Sequence, residues 1–232
     1  MFNLDNVGFY CISMNNENGK TKWERVKTIF NQQNIDIKKI VGVNGKEMEV
    51  PTVCPNTQTK CKLNNGEYGC YLSHINVITT ALENDLDYVF IFEDDVKLSD
   101  DFYDRIKYLE KCQIDFDMFY LSGSFNQFTI NVRKTKHEYV YEYDGAAGTH
   151  AYILNKKIFK YILDNVRFDR AIDGFYATVI GNQPDKRLKD KKMFDIKGFM
   201  PHACGCYSQY SSISNQYTDN GMNKYFKNVI NL

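Results

Sequence analysis

Apolar positions along this chain fall into two rhythms, short continuous runs and longer stretches with helical spacing. Residues 7–13 (VGFYCIS) form a short apolar run that ends in the polar loop MNNENGK. From Lys20 onward Trp23, Val26, Ile29 and Phe30 recur on one helical face. Residues 35–43 (IDIKKIVGV) then read as a second strand, so the opening predicts a parallel βαβ unit. After a turn-rich excursion at 44–65, Tyr68, Tyr71, Leu72, Ile75, Ile78 and Leu82 predict a long amphipathic helix. YVFIF at 88–92 has no polar interruption and suits a central strand covered on both faces.

The later pattern continues in kind. Ser99 is placed to cap a helix with Asp100 and Asp101 in its first turn and Phe102, Ile106 and Leu109 on its inner face. FDMFYLSG predicts another strand, and the mixed segment 126–143 a hairpin that extends the sheet with antiparallel strands. GTHAYIL predicts a strand, followed by a helix capped by Asn155. A further helix is expected near Asp173, with Ile172, Phe175, Tyr176 and Val179 inward. MFDIKGFMP reads as a late strand before a Ser/Asn/Tyr-rich tail. These elements predict a single α/β domain over residues 1–232 with a mostly parallel central sheet flanked by helices and an irregular C-terminal tail.

Composition narrows the function. Basic and acidic residues balance at 29 each, which argues against nucleic acid as a partner. The first residues lack a charged leader followed by an apolar run, so no signal peptide is expected. No apolar run approaches a spanning length, so no transmembrane segment is expected either. The seven cysteines, an odd number without C-x-x-C spacing, read as reduced thiols in a cytoplasmic setting. Cys54, Cys61 and Cys70 as a zinc site are the weaker alternative. The Asn- and Lys-rich composition suggests a microbial or viral source.

The strand at 88–92 ends in Glu93, Asp94 and Asp95. Adjacent carboxylates repel one another, so a cation has to offset them. Ligands of open parallel sheets bind beyond the carboxyl ends of strands, and hard oxygen donors there suit magnesium or manganese. A solvated strand-end turn is the competing reading.

With these residues in place, NNGEYGCYLSHINVITTALENDLDYVFIFEDDVKLSDDF resembles the signature region of glycosyltransferase family 25. Gly66, Glu67, Gly69, Cys70, Leu72, Ser73, His74 and the block Glu93–Val96 carry the likeness. Looser matches run through FYCIS, GTHAYILNKK, FDRAIDGFY and QYSSIS. The resemblance implies a GT-A (Rossmann-like) fold, a UDP-sugar donor, a divalent cation (manganese or magnesium) and inversion at the anomeric carbon. By resemblance galactose is the expected sugar. The acceptor partner is a collagen-like protein bearing hydroxylysine, or a glycan, and a homodimer is compatible with this reading. Asp95, then Glu93 by alternation, are expected to hold the cation, with Asp94 contacting ribose or bridging by water. His202, after the late strand, is a further metal candidate. Ser73 and His74 are expected to support the donor site, and the run GAAGT, with Gly148 and Thr149, to let backbone approach a sugar. Inversion needs a base for the acceptor hydroxyl. Asp173, in AIDGFY, is expected to be that base, with an N-cap as its bland reading and Asp169 as its competitor. The first loop offers only Lys20, Lys22 and Arg25 where many relatives are Arg-rich. A non-catalytic sugar-binding member of the same fold is the rival from another class, and a metal phosphohydrolase would need more His and Asp ligands.

Overall fold

The computed structural model describes residues 1–54, 56–124, 132–181 and 194–206. Its strands are β1 (Val7–Ser13), β2 (Ile37–Val41), β3 (Tyr88–Glu93), β4 (Val96–Leu98), β5 (Met118–Ser124), β6 (Val132–Lys134), β7 (Val140–Tyr143), β8 (Ala147–Asn155), β9 (Ile196–Phe199) and β10 (Cys204–Cys206). The helices are α1 (Glu17–Asn31), α2 (Asn65–Glu83), α3 (Phe102–Lys111), α4 (Lys156–Asp164) and α5 (Ile172–Phe175), the last continuing as a π-helical turn, Tyr176–Ile180. Eight strands form one mixed sheet in the order β2-β1-β3-β8-β5-β9-β7-β6. β1 pairs in parallel with β2 and β3, as the opening pattern predicts, and β5 with β9. β8 runs against both β3 and β5, and β7 against β9 and β6. Because every reversal is undone by the next, most strands still point one way.

β3 lies near the middle of this sheet with residues 88–92 buried. Its side chains alternate between two cores, as pleating requires. Phe90 and Phe92 pack with Val26 and Phe30 of α1 and with Phe102, Ile106 and Leu109 of α3. Val89 and Ile91 pack on the other face with Tyr71 and Ile78 of α2 and Ile158 and Phe159 of α4. The domain is therefore helix, sheet, helix in three layers. A second ribbon pairs β4 with β10 antiparallel, Val96 opposite Cys206. Among the described residues, no helix is long and apolar enough to cross a membrane.

Helix starts follow local chemistry. Asn155 caps α4 as expected, accepting from Lys157 N at 3.0 Å. Asn64 and Glu67 close a reciprocal capping box on α2. α1 begins at Glu17, ahead of Lys20, because the Asn16 side chain takes the Gly19 amide. Ser99 does not cap α3. Residues 99–101 form a turn in which Ser99 O accepts from Phe102 N, and the helix starts two residues later than expected. The hairpin expected within 126–143 is present as β6–β7, and residues 125–131 and the tail from 207 lie outside the described residues.

The face of α2 also differs from the expected stripe. Leu82 is 41% exposed, and Tyr68, Leu72 and Ile75 are only half-buried. The buried face is instead Tyr71, His74, Ile78 and Ala81, flanked by Gly69, Ser73 and Val77. Periodicity weighs large apolar residues, whereas this helix is buried through small ones. A Cβ on Gly69 would lie 2.6 Å from the Gly45 amide nitrogen and from Val43 O, so the loop after β2 rests directly on helix backbone. Ser73 ties the same contact, its Oγ accepting from Val43 N at 2.8 Å and donating to Gly69 O at 2.7 Å.

Two outcomes follow for stability. Gly69→Ala gains about 1 kcal/mol of helix propensity but forces a methyl into backbone, an overpacking cost of about 1–3 kcal/mol or more. The cost wins, and a thermal melt should drop by several degrees. Gly205→Ala, with open space around it, should not change the melt. Burial, reinforced by the Arg105 charge, pushes the His202 imidazole down to about 4. The unfolded chain therefore takes up this proton first. The stability His202 contributes is full above about pH 6.5 and is lost as pH falls toward 4, on the order of 3 kcal/mol. Urea midpoints measured across that window should slope less in His202→Asn than in the parent.

Candidate active site

The acidic cluster sits where β3 leaves the sheet. Glu93 is the last residue of the strand, and Asp94 and Asp95 make the turn into β4. The antiparallel course of β8 brings its beginning to this same edge. With Phe92 paired to Ala151, the preceding residues Thr149 and His150 arrive beside Glu93. Thr149 Oγ1 donates to Glu93 Oε1 at 2.5 Å. His150 Nδ1 lies 3.8 Å from Glu93 Oε2 and 3.9 Å from Asp95 Oδ1. From the opposite layer, α2 sends up His74, whose Nε2 is 3.5 Å from Glu93 Oε1.

Those separations are too long for good hydrogen bonds and short enough to share an ion. Donor atoms of Glu93, Asp95 and His150 all lie within 4.8 Å of one another, and so do those of Cys70, His74 and Glu93. His74 Nε2, Asp95 Oδ1 and His150 Nδ1 are buried without a hydrogen-bond partner. Buried polar atoms are costly to leave unpaired, and several facing one carboxylate mark a place shaped for a ligand. Two carboxylates and an imidazole suit a divalent cation such as manganese or magnesium. The donor set therefore fits the cation expected from the sequence.

Electrostatics separate the two carboxylates. Burial works against the charged form of Glu93, but His74, His150 and Thr149 outweigh it and hold its carboxyl down to about 2. Burial and the neighbouring Glu93 charge raise Asp95. Asp94 faces another way. Its Oδ1 is 3.1 Å from Lys22 Nζ, and its backbone oxygen accepts from Arg25 Nη2 at 2.5 Å. Two of the basic residues noted at the start of the chain thus lie on α1 and hold the turn, while Lys20 pairs with Glu17 on the surface.

The other expected residues are placed as follows. Gly148, the second residue of β8, has φ of 85°, a left-handed conformation that suits glycine. Ser73 is buried with its hydroxyl engaged in both directions, which makes it a tie between α2 and the loop after β2. His202 precedes β10 beside Arg105. Among the described residues it is His150 that joins Glu93 and Asp95. The signal for His150 was a polar Thr-His pair opening an otherwise apolar strand. Its use required knowing that the strand runs backwards.

Asp173 is the second residue of α5, half-buried, with Oδ1 accepting from Gly174 N at 2.6 Å. Ala171 occupies the cap position, so Asp173 is not an N-cap. Cys70, pushed up by burial, also feels the charges of Glu93 and Asp173, which places it within electrostatic reach of both. Asp169 is different in kind. Arg167 Nε and Nη2 reach its two oxygens at 2.9 and 2.8 Å, and Arg170 adds contacts at 3.1 and 3.2 Å. Burial alone would raise its carboxyl, but the two guanidiniums hold it low, so it is a poor base. Of the cysteines in the weaker zinc reading, Cys54 and Cys61 meet at 3.2 Å between sulfurs, whereas Cys70 stands on α2 beside His74 and Glu93. Cys11, Cys54, Cys61, Cys70, Cys112 and Cys204 are free thiols.

Comparison with known proteins places the chain in a family. The profile of glycosyltransferase family 25 (LPS biosynthesis protein) matches residues 7–175. A Haemophilus influenzae protein named "Putative glycosyltransferase" is 27% identical over 176 residues, 71% of this chain and 60% of that protein. The lipooligosaccharide biosynthesis protein lic2B of Haemophilus influenzae is 30% identical over 148 residues, 61% of this chain and 50% of its own length. Procollagen galactosyltransferase 2 of Mus musculus is 26% identical over 132 residues, 50% of this chain and 21% of its own length. The chain thus spans less than two thirds of these relatives. With the family profile covering β1 through α5 and the acid cluster at its centre, the chain belongs to glycosyltransferase family 25.

Proposed function

We propose that the chain is a metal-dependent inverting glycosyltransferase that moves a hexose from a UDP-sugar to a hydroxyl acceptor. The observation that carries this reading is the convergence of Glu93, Asp95 and His150, with buried unpaired donor atoms, at the carboxyl edge of β3. Family membership supports the reaction class. Galactose is the proposed sugar because one relative is named a procollagen galactosyltransferase. That name favours a hydroxylysine-type acceptor, while the lipooligosaccharide relative keeps glycans as the competing class.

The chemistry assigns a role to each group. Glu93, Asp95 and His150 would hold the cation, which when bound supplies charge neutralisation for a departing diphosphate. Thr149 fixes the Glu93 carboxylate through its hydrogen bond so that it need not reorganise, and His74 stands beside the same oxygen. Lys22 and Arg25 hold the 94–95 turn, setting where Asp95 points. Gly148 keeps backbone open beside the cluster for the sugar. Asp173 takes the proton of the acceptor hydroxyl, whose oxygen bonds to the anomeric carbon from the face opposite the leaving group. The bond from that carbon to the diphosphate oxygen breaks, and UDP departs with its electron pair.

Two sets of variants test this. Asp95→Ala and His150→Ala should each weaken the manganese-dependent part of UDP affinity about 10- to 100-fold and abolish transfer, while Asp94→Ala and His202→Ala do less. Titration calorimetry with UDP, with and without manganese, reads the effect. Full activity of Asp95→Ala after chelation would sink the metal role, and UDP-sugar binding without turnover on any acceptor would turn the reading to a sugar-binding protein. Asp173→Asn should leave UDP affinity and melting temperature near normal but lower transfer on the order of 10²- to 10⁴-fold. Asp169→Asn should instead lower the melting temperature, because it leaves Arg167 and Arg170 with a poorer partner. Retained transfer in Asp173→Asn would show that another group is the base.

A further inference from the structure

Outside the acidic site, the excursion between β2 and α2 brings two cysteines together. Val53 and Lys60 bridge antiparallel, with Cys54 N donating to Thr59 O at 2.7 Å and Cys61 N to Thr52 O at 3.0 Å. Cys54 and Cys61 each follow one of the bridged residues, so pleating sends both side chains to the same face of this ribbon. Their sulfurs meet at 3.2 Å. A disulfide holds its sulfurs about 2.05 Å apart, so closure asks for a movement of about 1 Å.

A buried cysteine often serves as a small apolar filler, but the surroundings of Cys54 are polar. Its sulfur, fully buried, takes the Phe168 amide at 3.2 Å. Burial alone would raise the Cys54 thiol, but hydrogen bonds from Thr59, Cys61 and the Phe168 amide outweigh it and hold the thiol below its usual value. Thiols held low in this way are the reactive ones. Burial and the neighbouring Cys54 push the Cys61 thiol up, so the proton between the two sulfurs belongs to Cys61. Cys61 is also the half-buried member of the pair, the sulfur that solvent reaches. Lys62 N donates to Phe168 O at 2.9 Å. Phe168, in the segment that leads to Asp173, is thus gripped through both its amide and its carbonyl from around this pair.

We propose that Cys54 and Cys61 are a reactive dithiol that closes to a disulfide by exchange with a small-molecule disulfide, fastening the ribbon that grips the approach to Asp173. Cys61 passes its proton to Cys54 and attacks the small disulfide, whose S–S bond breaks to release one thiolate. Cys54 then loses its proton to water and attacks the Cys61 sulfur, expelling the second small thiolate. The protein pair gives up two electrons and two protons in all, and the small disulfide gains them as two thiols.

The whole chain, fully reduced and freed of reductant, is treated with oxidised glutathione at mildly alkaline pH, blocked with an alkylating agent and mapped by mass spectrometry without reduction. The expected product is a peptide pair joined through Cys54 and Cys61, with the other thiols alkylated and a melting temperature several degrees above the reduced form. Alkylation of Cys54 and Cys61 like the rest, a glutathione adduct that stays on Cys61, or pairing of either with another cysteine overturns the proposal, whether or not the protein transfers sugar. Cys54→Ser should trap glutathione on Cys61, whereas Cys61→Ser should leave Cys54 without an adduct. The reverse pattern overturns the order of attack, and if either variant does not fold, the map of the parent protein still decides.

Discussion

A carboxylate that stays charged while half-enclosed by protein has to be compensated, and Glu93 is compensated from three directions at once. Thr149 donates to it from β8, His74 approaches from α2, and His150 stands over its other oxygen. Each of these groups is fixed by something larger. β8 is wedged between β3 and β5, α2 is seated on the loop after β2, and both are locked by cores on the two faces of the sheet. The interaction is local, but its geometry is set by the whole domain. The remaining misfit, buried nitrogens and an oxygen without partners, is what a cation would resolve.

The same logic separates three acidic residues that are neighbours in sequence. Glu93 is held from within the protein, Asp94 is turned toward α1 and its basic residues, and Asp95 is left with its charge opposed by burial and by Glu93. The turn after β3 keeps Asp95 with Glu93 and carries Asp94 toward Lys22 on α1. That much was legible in the sequence, as were the opening βαβ unit, the central strand and the cap at Asn155. These features depend on short-range rules of period and capping.

What could not be read depends on direction and on close approach. Nothing in GTHAYIL says that the strand runs backwards, so Thr149 was associated with the sugar and His150 was passed over. The helix stripe was drawn through Leu82 because leucine is large, whereas Gly69, Ser73 and Ala81 let the helix come close enough to be buried. His202 was offered as a ligand because it follows a late strand; it lies just ahead of β10 and feels the charge of Arg105. Asp169 and Asp173 were similar by sequence, and only the guanidiniums of Arg167 and Arg170 distinguish them.

That last pair of contacts bears on how the site would respond to heat. The segment leading to Asp173 is anchored by one carboxylate held between two arginines, its side chain only 2% exposed. The desolvation penalty of such ion pairs shrinks as temperature rises, while apolar stabilisation levels off. On warming, the approach to α5 should therefore keep its register longer than neighbouring segments held by apolar contact alone. Asp173 would then stay in place while the periphery of the sheet begins to loosen.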